Sequence, residues 1–98
     1  MNKEYEILVV DDEESIARVL NDLLREEGYP ATRVSCGKDV RDTLRVRSYH
    51  LVMLDLMLPD VHGIELLREI RTAYPKTDVI IMTSKANPIA PITADTVF

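Results

Sequence analysis

The chain has 98 residues, 46% of them apolar and 30% charged, with a formal net charge of −5; this is the size and composition of one small globular domain, acidic enough to argue against a surface built for phosphate backbones. Its single cysteine, Cys36, excludes an intrachain disulfide and a cysteine-built metal cluster. The opening Met1-Asn2-Lys3-Glu4-Tyr5-Glu6 is too short and too charged for a secretory leader, and no apolar run approaches the ~20 residues of a membrane span, so a soluble cytoplasmic protein is expected.

Ile7-Leu8-Val9-Val10 is a continuous apolar run, as in a strand buried on both faces of a parallel sheet. It stops abruptly at Asp11-Asp12-Glu13-Glu14. From Ser15 the period becomes helical, with Ile16, Val19, Leu20, Leu23 and Leu24 predicted to face inward and Arg18, Asp22 and Arg25 outward. Gly28 closes that helix, where the backbone must turn left-handed. Ala31 to Ser35 reads as a short second strand, and Gly37-Lys38-Asp39 opens a second helix with a thin apolar stripe of Val40, Leu44 and Val46.

Leu51-Val52-Met53-Leu54 is apolar throughout and ends at Asp55; a Pro59-Asp60 turn and Gly63 follow. The next helix is predicted to bury Ile64, Leu67 and Ile70. After Tyr74-Pro75-Lys76-Thr77 comes the fourth apolar run, Val79-Ile80-Ile81-Met82, ending at Thr83-Ser84. Pro88 and Pro91 make the next stretch a rigid loop, and Thr93 to Phe98 reads as the start of one more helix. Alternating strands and helices predict a parallel sheet covered on both faces.

In such a sheet ligands bind beyond the carboxyl ends of the strands. Asp11 and Asp12 end the first strand, Asp55 the third and Thr83 the fourth. If the first and third strands are neighbours, three carboxylates converge, and like charges held together call for a cation. Oxygen ligands without His or Cys point to magnesium. Each residue alone has a plainer reading. Asp11-Asp12 would suit a helix start, Asp55 a loop and Thr83 a strand end; their shared edge is what argues for a site. His50 and His62 are expected to be solvated, Cys36 and the methionines to be packing residues.

Ile7 to Glu13, Leu51 to Gly63 and Val79 to Thr83 together closely resemble the receiver domain of two-component response regulators, in order and in spacing. The resemblance implies a flavodoxin-like, doubly wound α/β fold with strand order 2-1-3-4 and a single domain over residues 1–98. The family's fifth strand, with its lysine and aromatic switch residue, and its last helix would lie beyond Phe98, making the domain C-terminally incomplete.

The resemblance also implies roles. Asp55 would accept a phosphoryl group from a sensor histidine kinase. Asp12 would bind Mg2+ directly, Asp11 would help to hold it, and Met57 would offer its backbone carbonyl. Thr83 would supply the switch hydroxyl. The expected function is a phosphorylation-driven switch read by an effector domain or partner, not an enzyme beyond assisting its own phosphorylation and dephosphorylation. The alternative is a phosphorylation-incompetent interaction module. An aspartate-nucleophile phosphatase is disfavoured by the spacing of Asp11-Asp12-Glu13-Glu14-Ser15, and nucleotide binding by the lack of a glycine-rich loop after the first strand. A missing fifth strand would leave the fourth as an open apolar edge, so a dimer or domain-swapped assembly is also expected.

Overall fold

The computed structural model describes residues 5–82. In chain order they form β1 (Ile7–Val10), α1 (Glu14–Glu26), β2 (Ala31–Val34), α2 (Gly37–Val46), β3 (Leu51–Asp55), α3 (Gly63–Ala73) and β4 (Asp78–Met82). The four strands make one sheet in the order β2-β1-β3-β4. Every pair is parallel, with Val10 opposite both Val34 and Leu54, and Asp55 opposite Met82.

The continuous apolar strands have two faces to fill, and the alternation of side chains along them divides the core. Leu8, Val10, Val52, Leu54 and Val79 pack with Val40 and Leu44 of α2 and with Leu66, Leu67 and Ile70 of α3. Ile7 and Val9 point the other way, to Ala17 of α1, with Leu20 and Leu24 beside them. An Arg41–Glu69 pair, with two hydrogen bonds of 2.8 and 2.7 Å, ties α2 to α3 at the surface.

Two helices present a different face from the one their sequence predicts. On α1 only Ala17 is buried, with Leu20 and Leu24 against the sheet, whereas Val19 and Leu23 are 59% and 54% exposed. The apolar arc of α1 is wider than the strip that a sheet surface covers, and successive residues lie about 100° apart. Small Ala17 lets the helix approach most closely, so 17, 20 and 24 define the contact. On α3 the buried set is Gly63, Leu66, Leu67 and Ile70, while Ile64 stays exposed. Gly63 fixes that rotation. A Cβ there would overlap the backbone of Leu56, and the Gly63 N–H donates to the Leu56 carbonyl at 3.0 Å. Val46, expected to extend the stripe of α2, is exposed at the last residue of the helix.

Other turns follow the sequence. Gly28 has φ 87°, and its N–H donates to the Arg25 carbonyl at 3.0 Å, closing α1. His50 is exposed: its Nδ1 accepts the Glu6 N–H at 2.9 Å and its ring stacks on Tyr5. That contact lies at the amino end of the sheet, where β1 and β3 start. Among the described residues no helix is long and apolar enough to cross a membrane.

Candidate metal centre

The order β2-β1-β3-β4 places the carboxyl ends of β1 and β3 side by side. Asp11 continues β1 by one residue, its N–H donating to the Val34 carbonyl of β2 at 3.1 Å. Asp55 is the last residue of β3. Both are almost wholly buried, at 2% and 1% exposure, whereas Asp12 is exposed. One carboxylate oxygen from each of Asp11, Asp12 and Asp55 lies within 4.8 Å of the other two. The three acids singled out in the sequence thus converge at one point.

Local hydrogen bonds fix the two buried acids. Asp11 Oδ1 accepts the Glu13 N–H at 2.8 Å. This local turn aims the chain into α1, whose N-cap residue Glu13 makes no side-chain capping bond of its own. The Asp11 carbonyl accepts from the Arg33 guanidinium on β2 at 3.0 Å. Asp55 Oδ1 accepts the Met57 N–H at 2.9 Å, so the start of the loop after β3 orients the acid that ends the strand. Met57 pairs in turn with His62 across that loop.

A second carboxylate in the same loop has a structural task. Asp60 Oδ1 accepts the Gly37 N–H at 2.7 Å and Oδ2 the Lys38 N–H at 3.0 Å, at the start of α2. These two backbone bonds hold the Asp60 carboxyl below the ordinary range. Sequence reading takes Asp60 as a turn residue, because its partners lie more than twenty positions earlier in the chain. The Arg33 contact is equally non-local and has no motif to announce it.

The donor set of the cluster suits a hard cation: three carboxylates, two of them buried, with no imidazole or thiolate among them. Burial and proximity give those charges a reason to attract one. Met57 has its backbone beside Asp55 through the N–H contact above. Thr83, the remaining residue expected at the site, lies outside the described residues; it follows Met82, the partner of Asp55 in the sheet register.

Comparison with known proteins places this geometry in a family. Residues 7–95 match the family model of the response regulator receiver domain. YkoG of Bacillus subtilis, named a transcriptional regulatory protein, is 44% identical over 79 residues, covering 81% of this chain and 35% of that one. The response regulator ArlR of Staphylococcus aureus is 39% identical over 82 residues, covering 84% and 37%. The chain therefore spans about a third of the length of these curated relatives.

Among solved structures, the response regulator TrrA of Thermotoga maritima in complex with Mg2+-BeF superposes with a TM-score of 0.75 and 35% identity, over 79% of this chain and 67% of that one. A structure of the histidine kinase ThkA in complex with TrrA matches with a TM-score of 0.80 and 32% identity, over 90% and 76%. With the parallel 2-1-3-4 sheet and the acid cluster at its carboxyl edge, these matches establish that the chain belongs to the response regulator receiver domain family of two-component signalling.

Proposed function

We propose that Asp55 is the phosphoacceptor of this receiver and that Asp11, Asp12, Asp55 and the Met57 carbonyl hold Mg2+ beside it. The observation that carries this reading is the convergence of Asp11, Asp12 and Asp55 at the carboxyl edge of the sheet, within 4.8 Å. A bound Mg2+ supplies positive charge against the negative charge of the acids and of an incoming phosphoryl group.

The chain's own residues do the rest. The Met57 N–H holds Asp55 Oδ1 in place, and the buried end of β3 keeps the acid from swinging into solvent. In the transfer, an Asp55 carboxylate oxygen forms a bond to phosphorus. The bond between phosphorus and the donor's imidazole nitrogen breaks, and that nitrogen keeps the electron pair. Donor and acceptor must lie in line, so orientation of Asp55 is the main catalytic contribution of the fold. Thr83 is assigned the hydroxyl that bonds the phosphoryl oxygen once it is attached.

A sensor histidine kinase as donor is supported by the match to a regulator solved with its kinase. A downstream effector is supported by relatives named as transcriptional regulators that extend well beyond the matched region. We assign the protein to the cytoplasm and limit its catalysis to aiding its own phosphorylation and dephosphorylation. We propose that the protein self-associates through the edge of β4, which pairs only with β3 among the described strands; solution mass measured by light scattering tests it.

The test of the acceptor uses phosphoramidate with Mg2+, followed by intact-protein mass. The wild-type protein should gain one phosphoryl group, and Asp55→Asn should gain none. Equal labelling of both proteins overturns the assignment.

A further inference from the structure

The β3–α3 loop is held at more than one place, and one of its anchors lies outside the acid cluster. Met57 begins the loop and orients Asp55 through its N–H, 2.9 Å from Oδ1. Three residues later, the Asp60 carboxylate spans two backbone N–H groups of another element, those of Gly37 at 2.7 Å and Lys38 at 3.0 Å. Val61 packs beside Gly37 at the same junction. The opposite end of the loop is fixed by the Gly63 N–H on the Leu56 carbonyl, at 3.0 Å.

We propose that Asp60 is a positioning residue for phosphorylation, acting through Met57 on Asp55; the proposal rests on the phosphoacceptor reading above. Three physical facts support it. The first N–H groups of a helix have no partner within the helix, so α2 offers donors that a carboxylate fills. Cys36, the N-cap residue of α2, makes no side-chain capping bond, so Asp60 takes that position from a distant loop. Two donors on two oxygens fix the orientation of the carboxylate as well as its position. The carboxylate therefore joins the loop to a helix that is itself packed on the sheet through Val40 and Leu44. Only Leu58 and Pro59 separate Asp60 from Met57. Releasing the anchor frees the loop to shift, and Asp55 loses its preset orientation while the acids themselves remain.

The consequence is a rate effect separable from folding. In the full-length protein, phosphorylation by phosphoramidate at saturating Mg2+ should slow by roughly tenfold for Asp60→Ala, the scale on which a small misplacement of a reacting group acts. Asp60→Asn, which keeps one acceptor oxygen, should fall between Asp60→Ala and the wild type. Mg2+ affinity should fall less than the rate, since all three carboxylates remain and only the Met57 carbonyl and the orientation of Asp55 move with the loop. Arg45→Gly is the control: it weakens α2 from an exposed position in its last turn, away from the Asp60 junction, and should lower the melting temperature with no change in rate. If Asp60→Ala melts lower yet is phosphorylated at the wild-type rate, Asp60 is only a helix cap and the proposal is overturned. If Arg45→Gly slows phosphorylation as much as Asp60→Ala does, helix stability is the cause and the proposal is likewise overturned. A wild-type protein that takes no phosphoryl group on Asp55 refutes the phosphoacceptor reading instead, a distinct result.

Discussion

The acid cluster should make the metal-free protein less stable than its fold allows, and removing one charge should reveal by how much. Asp11 and Asp55 are 2% and 1% exposed, with carboxylate oxygens within 4.8 Å of each other and of Asp12. At an effective dielectric constant of ~20, two unit charges at that distance repel by about 3.5 kcal/mol. The interaction with exposed Asp12 is weaker because water screens it. Asp55→Asn removes the repulsion yet keeps an oxygen to accept the Met57 N–H, and its new amide hydrogens can donate to the neighbouring acids. We expect about 2 kcal/mol of net stabilisation in the presence of EDTA, which is a rise of about 10 °C in Tm for a domain of this size. Mg2+ at ~100 times its Kd should stabilise the wild type by about 2.7 kcal/mol and the Asp55→Asn protein by less, so the gap should narrow. Differential scanning calorimetry with and without Mg2+ reads both effects. An Asp55→Asn protein that melts no higher than wild type in EDTA would refute the reasoning, because it would mean that the buried acids do not repel at this edge.

Acid sensitivity should follow Asp60. Its folded-state pKa is depressed by the Gly37 and Lys38 N–H groups, so its contribution is present above the unfolded carboxylate pKa of about 4 and is lost as pH falls through the folded value. Urea midpoints measured across acidic pH should fall less steeply for Asp60→Asn than for wild type; parallel curves would contradict the assignment. Gly63→Ala should destabilise the fold by roughly 1–3 kcal/mol, because the added carbon meets the Leu56 backbone, which has no flexible end to yield. An unchanged urea midpoint would show that α3 can pivot away without loss.

Local chemistry in the sequence was enough to locate the strands and the acids that end them. Each apolar run is long enough to need burial on two faces, and each stops at a polar residue, so Asp11 and Asp55 are legible as strand-edge acids from their neighbours alone. Their convergence needed strand order: the 2-1-3-4 arrangement came from resemblance, and the sheet pairing confirms it. The tertiary structure alone decided which residues of a wide apolar arc touch the sheet. Ala17 rather than Ile16 faces inward on α1, and Leu66 rather than Ile64 on α3, because close approach at Ala17 and Gly63 sets each helix's rotation. It alone also joined Asp60 to Gly37 and Lys38, and His50 to Glu6, across 22 to 44 positions. Periodicity and strand-end acids are properties of adjacent residues, whereas a hydrogen bond between distant segments exists only once the sheet has brought them together.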